Sequence, residues 1–169
     1  LAISDKNNEP AQALLRDYKK LGIINFGKRD MPQGYQALNI GAKLAKSDVI
    51  VFSDTNNEFN DLVLMKLARH FKDPKIAAVS GVRITLGGKS RQTTTGDNLY
   101  WKYETMIKIA ESKLGSVTAA AGEILAIRRE LYTPVDLNYI NFDAAITFKL
   151  VKNGYRVIVD DEAISLTEA

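Results

Sequence analysis

The chain has 169 residues, 46% of them apolar and 25% charged, with a formal net charge of +3; a domain of this length buries about 70% of its unfolded surface, so disordered and fibrous classes are excluded. It has no cysteine and a single histidine, His70, which excludes disulfides, thiolate sites and multi-histidine centres and leaves oxygen as the ligand for any metal, the chemistry of magnesium, manganese or calcium. No basic stripe interleaved with aromatics points to nucleic acid, and apolar runs such as residues 76–79 are far shorter than the ~20 residues of a membrane span.

Residues 1–4 are apolar and run into the polar cluster 5–8, the pattern of a buried strand ending in a loop. Pro10 suits the first turn of a helix whose apolar positions Ala13, Leu14, Tyr18 and Leu21 recur at helical spacing, and Gly22 ends it. A second strand is predicted over 23–26, a basic loop carrying Lys28, Arg29 and Pro32 over 27–34, and a helix over 35–46. The run Val49-Ile50-Val51-Phe52 is that of a strand covered on both faces in a parallel sheet. It ends on the polar tetrad Asp54-Thr55-Asn56-Asn57. A helix over 61–71 and a strand over 76–84 continue an alternation that predicts a doubly wound α/β sheet, with ligands at the carboxyl ends of strands.

The second half opens on a Gly/Ser/Thr-rich loop over 87–96 and a long amphipathic helix over 98–114. A strand is predicted over 122–128, a helix over 143–152 stopped by Gly154, and a last strand over 155–159. No repeat or linker interrupts the pattern, so a single domain over 1–169 is expected.

Several residues fit a chemical role as well as a structural one, and on local grounds alone the structural one is the default. Asp54 and Asn56, two residues apart at a strand end, present hard oxygens to a divalent ion, or form an Asx turn. Asp143 at a helix start is a general base or a helix cap. Lys28 and Arg29 among glycines cradle phosphate or are solvated. Trp101, with Tyr100 and Tyr103 on the long helix, stacks on a sugar ring or packs in the core. Arg128 and Arg129 bind a diphosphate or face solvent. His70 is given no catalytic role.

In order along the chain, Ile3-Ser4-Asp5, Gly34-Tyr35-Gln36-Ala37-Leu38-Asn39 and Val51-Phe52-Ser53-Asp54-Thr55-Asn56 resemble family 2 glycosyltransferases, including the bacterial polysaccharide synthases. Asp73-Pro74, Tyr100-Trp101-Lys102-Tyr103-Glu104, the block from Gly122 to Arg129, Asp143, and Gly154-Tyr155-Arg156-Val157 follow in the same family's order. The resemblance implies a GT-A-like doubly wound, mixed and mainly parallel sheet with helices on both faces. Residues 1–84 would be the half that binds the nucleotide sugar, and 85–169 the half that binds the acceptor and carries the base.

Carried over residue by residue, the resemblance implies that Asp5 contacts the nucleotide base and that Asp54 and Asn56 stand for the D-x-D pair at Mg2+ or Mn2+, Asp54 toward the nucleotide sugar and Asn56 toward the metal. Asp143 matches the catalytic base, and Lys28, Arg29, Gly122 and Trp101 are further substrate contacts. Asn56 and Phe142 depart from the family's acidic residues at those positions, and the family's opening strand has no counterpart. The activity implied is inverting transfer from a nucleotide-diphosphate sugar, such as a uridine one, to a hydroxyl of a glycan or lipid-linked acceptor, as in polysaccharide synthesis. The parent protein is expected at the cytoplasmic face of a membrane, and the chain alone to be inactive and prone to self-association through an uncovered strand. A non-catalytic binding module and a nucleotidyltransferase remain alternatives.

Overall fold

The computed structural model describes residues 2–5, 9, 13, 23–26, 35–54, 57–86, 95–136, 139 and 141–168. The chain divides into two compact units, residues 1–47 with 134–140, and residues 48–133 with 141–169.

In the first unit, β1 (Ala2–Asp5) and β2 (Ile23–Phe26) pair in parallel, with Asp5 opposite Phe26. Helix α1 (Tyr35–Leu44) buries Ala42 and ends two residues before the expected limit at 46. Its Asn39 amide donates to Val135 O at 2.8 Å and accepts from Val135 N at 3.0 Å, which sews the segment 134–140 to the helix. A side-chain amide matches the paired donor and acceptor of one backbone residue, so it replaces a rung of sheet. The helix expected from Pro10 and the basic loop 27–34 lie outside the described residues.

The second unit is built on a five-stranded sheet in the order β3-β6-β5-β7-β4. Its strands are β3 (Val49–Ser53), β4 (Asn57–Phe59), β5 (Ile76–Leu86), β6 (Ile124–Arg128) and β7 (Arg156–Glu168). The sheet is mixed, as expected; among the described residues β5 pairs in parallel with β7, and the β3–β6, β5–β6 and β4–β7 pairings are antiparallel. Among the described residues the one pairing of β3, whose composition suggested a parallel strand, is the antiparallel one with β6. Ile50 and Phe52 are buried while Val51 and Ser53 are open, because β3 pairs with β6 alone among the described strands and one of its faces is only partly covered. Ile124 to Ile127 of β6 are all buried, as befits a strand paired on both sides.

On one face, Val63 and Leu67 of α2 (Val63–Ala68) pack with Val79, Ile124, Ala126 and Ile158. Truncating a side chain buried like Leu67 to alanine costs about 2–5 kcal/mol. The helix expected over 61–71 is shorter than that: it passes into a 3-10 turn over Arg69–Lys72, where the backbone tightens before Pro74. On the other face Phe142, at the start of α4 (Phe142–Lys152), meets Phe52 edge-on at 5.1 Å and Tyr132 at 6.5 Å between ring centroids. Helix α4 ends as expected at Gly154, whose φ of 83° is open to glycine. Its N–H bonds to Val151 O and that of Tyr155 to Leu150 O, the paired bonds of a Schellman cap.

Helix α3 (Thr95–Leu114) packs on β7, where Val159 N–H donates to Ser112 Oγ at 2.7 Å. The Arg156 guanidinium reaches back to the carbonyls of Ser112 and Gly115 and satisfies that helix end. β7 runs nine residues past the expected limit at 159. Its polar triplet Asp160-Asp161-Glu162 does not end it, because the buried Asp160 carboxylate is met by Arg69 at 2.9 Å and His70 at 2.7 Å. No helix among the described residues is long and apolar enough to cross a membrane.

Candidate active site

Antiparallel pairing fixes the geometry of the site. Ser53, the last residue of β3, lies opposite Ile124, the first of β6, so the residue leaving one strand sits beside the residue entering the other. These are Asp54 and Glu123. The loop that carries Asp54 is pinned at its far end by Asn57, whose amide donates to Glu123 O at 2.9 Å and accepts from Thr167 Oγ1 at 3.0 Å. The turn before β6 is fixed by Ser80, whose hydroxyl accepts from Ala121 N at 3.0 Å.

A third carboxylate arrives from helix α4. Asp143 stands in its first turn, where the helix dipole favours a negative charge, and its Oδ1 accepts from Ala144 N at 2.9 Å. It is not the helix cap. Asn141 holds that place and makes no side-chain capping bond. Gly122 lies directly against the Asp143 side chain, within 3.3 Å of where a β-carbon would be.

Two of these carboxylates, Glu123 and Asp143, act on the third, Asp54. Asp54 has its pKa raised above the ordinary 3.8, first by partial desolvation and then by the negative charges of Glu123 and Asp143. Its side chain remains open to solvent, so this is a carboxylate crowded by backbone and like charge, ready to accept a cation. Glu123 is itself held by Arg83, Nη1 to Oε1 at 2.5 Å. Among the described residues no three His, Cys, Asp or Glu side chains form an all-protein metal cage. One carboxylate in a surplus of negative charge suits a magnesium- or manganese-type ion, which is held by one or two carboxylates together with substrate phosphates.

Beside Asp143 opens a cleft of about 300 Å³ whose polar lining includes Arg83, Glu104, Lys108, Glu123 and Asn141. Lys108 Nζ pairs with Glu104 Oε1 at 2.8 Å, one helical turn apart on α3. A deprotonated carboxylate facing a polar cleft can take a proton from a bound hydroxyl.

Of the residues singled out by sequence, Asp54, Gly122 and Asp143 come together. Asp5 ends β1 in the first unit and Trp101 lies in α3, with both side chains outside the described set; Lys28, Arg29 and Asn56 are also outside it. Arg128 is taken up by the backbone. It donates to the carbonyls of Ile76, Phe71 and Asp73 at 2.7 to 2.9 Å and lies over the Phe71 ring. Tyr103 is 59% exposed and so is not core. Phe142, standing where the resemblance has an acid, is buried, and the phenol of neighbouring Tyr132 is pushed up to about 12 by desolvation, which removes it as a base near neutral pH. Arg83 and Lys108 were not singled out, and Glu104 and Glu123, though inside blocks that carry the resemblance, were given no role. Only the four-residue spacing of Glu104 and Lys108 signalled a pair in advance.

A family model described as glycosyl transferase family 2 matches residues 2–134. An N-acetylglucosaminyltransferase of Azorhizobium caulinodans is 28% identical over 147 residues, 78% of this chain and 36% of that protein. Among solved structures, the mannosyltransferase PcManGT from Pyrobaculum calidifontis, in complex with GDP-Man and Mn2+, superposes with a TM-score of 0.76 at 19% identity over 97% of this chain and 46% of its own. GalNAc-T7 with UDP, GalNAc and Mn2+ gives 0.67 at 19% identity over 99% of this chain and 37% of its own. The chain thus spans between about a third and a half of these proteins, and the likeness shows the GT-A fold. Asp143 lies just past the residues the family model matches, so its role is argued from geometry.

Proposed function

The chain belongs to glycosyl transferase family 2, and from that premise we propose that its parent moves a sugar from a nucleotide-diphosphate donor to an acceptor hydroxyl by single displacement, with inversion, in glycan synthesis. The observation that carries the reading is the placement of Asp143, a carboxylate lining a polar cleft and within electrostatic reach of Asp54. Asp143 takes the proton of the acceptor hydroxyl as that oxygen attacks the anomeric carbon. Helix α4 holds the carboxylate in place through its first turn, and Gly122 leaves the space it occupies.

Asp54, with Asn56, would hold a divalent cation, which when bound supplies positive charge against the leaving diphosphate. Asp5 and the Lys28–Arg29 loop keep the donor contacts that the family resemblance implies, and Trp101 a contact to sugar. Single displacement with inversion rests on one base facing the acceptor.

The test is a paired measurement on the full-length parent. Asp143→Asn should leave donor affinity nearly unchanged and lower transfer by roughly 10²–10⁴-fold, the usual worth of a general base. A residue acting only in helix stability predicts little change in transfer, since asparagine is tolerated in a first turn. Unchanged transfer removes Asp143 as the base.

A further inference from the structure

We propose that the cleft beside Asp143 takes a neutral, hydroxyl-rich sugar as acceptor and rejects a phosphate-bearing one. The inference rests on the reading of Asp143 as a base facing the acceptor, and concerns what else lines that cleft. Both cations of its described lining are already engaged. Arg83 is paired with Glu123 at 2.5 Å and Lys108 with Glu104 at 2.8 Å. With Asp143 added, two cations face three carboxylates, and one negative charge is left over.

A phosphate entering here meets an unfavourable field. Its oxygens only accept hydrogen bonds and need converging donors, which a phosphate site supplies as free guanidinium or ammonium groups. The N–H groups that Arg83 and Lys108 have left lie beside Glu123 and Glu104, so an anion that uses them sits against a carboxylate, whether it shares the cation or pulls it away. The pairs are partly buried, with side-chain exposures of 34% and 23% for Arg83 and Glu123 and 22% and 31% for Lys108 and Glu104, so solvent screens this repulsion less than at an open surface.

A sugar finds the opposite. Each hydroxyl both donates and accepts, and each ion pair offers an N–H donor beside a carboxylate acceptor, while Asn141 offers both from one amide. The pairs stay intact, and their spare lone pairs and protons are what the sugar uses. The volume of about 300 Å³ is at the small end of ligand sites, which run from roughly 300 to 1,000 Å³, so the cleft takes the terminal sugar and leaves the rest of the acceptor outside.

The test uses the full-length parent. Nucleotide release from the donor is followed with neutral trisaccharides of glucose, mannose and N-acetylglucosamine, and with farnesyl phosphate in detergent micelles, while calorimetry records the binding of each acceptor and of the donor separately. At least one trisaccharide should bind and accelerate nucleotide release, and farnesyl phosphate should do neither. Glu104→Gln frees Lys108, and should raise the KM for that trisaccharide about tenfold with kcat changed far less, the worth of one charged hydrogen bond, while farnesyl phosphate gains affinity. Lys108→Gln, which removes the other half of the pair, should raise the same KM. The inference is overturned if farnesyl phosphate matches or exceeds every trisaccharide in kcat/KM, or if both variants leave the KM unchanged. Trisaccharide binding lost in Glu104→Gln supports it without any donor, whereas failure of the donor to bind removes sugar transfer and leaves this acceptor measurement standing.

Discussion

The carboxylate of Asp143 lies against the bare Cα of Gly122: a β-carbon at position 122 would stand 3.2 Å from Asp143 Oδ2 and 3.3 Å from its Cβ and Cγ. Spacings that short require one side to yield by a few tenths of an ångström. The turn is the stiffer partner, since Ala121 N–H is held by Ser80 Oγ and Ile124 N–H by Ala121 O. Asp143 is therefore what moves.

Gly122→Ala should consequently lower kcat by about tenfold, less than the ~10²-fold that a 1 Å misplacement of a reacting group can cost. Donor affinity should stay within about twofold, because the displaced group is the one proposed to face the acceptor. Steady-state transfer and donor calorimetry on the full-length parent read both quantities. An unchanged kcat would show that the carboxylate has room to spare.

Asp54 gives the pH dependence. Desolvation and then Glu123 and Asp143 raise its pKa above 3.8, so the folded chain holds this proton more tightly than the unfolded chain does. Stability from this group therefore rises as pH falls through the raised value toward 3.8, and its ionised form is a burden above that window. Asp54→Asn should raise the melting temperature at neutral pH, flatten the loss of stability as pH rises from 3.8, and weaken donor binding. Thermal melts in a pH series, with donor titrations beside them, check the combination. A variant that is less stable at neutral pH contradicts the crowding of charge at Asp54.

What was readable in the sequence followed local pattern. β2 at Ile23–Phe26, the start of β3 at Val49 and the stop of α4 at Gly154 depend on a few adjacent residues, and the structure has them there. The direction of the neighbour of β3 was not readable, because Val49-Ile50-Val51-Phe52 is equally apolar whichever way β6 runs. The continuation of β7 was hidden for a related reason. Asp160 looks like a loop residue until Arg69 and His70, some ninety positions away, are seen to satisfy it. At the site, Asp54 and Asp143 stood out because each falls at a strand or helix end, and Gly122 through the family resemblance alone. Arg83 did not, since an arginine within a strand has no local signature, and its partner Glu123 is forty residues distant.

Arg128 tests the opposite case, a basic residue beside a family motif with a structural task. It satisfies three carbonyls, of Phe71, Asp73 and Ile76, at the junction of the 3-10 turn with β5. Arg128→Met keeps much of the apolar stem over Phe71 and removes every donor. Loss of charged hydrogen bonds to partly buried carbonyls should destabilise the chain by about 2–4 kcal/mol. Denaturant unfolding measures this, and donor affinity should be unchanged in the folded fraction. A donor-binding defect with unaltered stability would return Arg128 to the diphosphate.

The last expectation concerns the cation. Asp54, Glu123 and Asp143 set three negative charges close together, and Arg83, which offsets one, is already bound to Glu123. A diphosphate approaching Asp54 meets like charge, so favourable donor binding requires positive charge from outside the described residues. A chelator should lower donor affinity by at least about 10²-fold, since a bound metal is worth several kcal/mol against phosphoryl oxygens. Added Mg2+ or Mn2+ should restore it. Glu123→Gln removes one of the repelling charges, and should raise the affinity that remains under chelator while leaving the metal-supported affinity the higher of the two. Calorimetric titrations of donor into both chains, with chelator and with Mn2+, separate these effects. Equal donor affinity with and without chelator in the unsubstituted chain would mean that another basic group supplies the charge, and Asp54 would lose its place as the metal ligand.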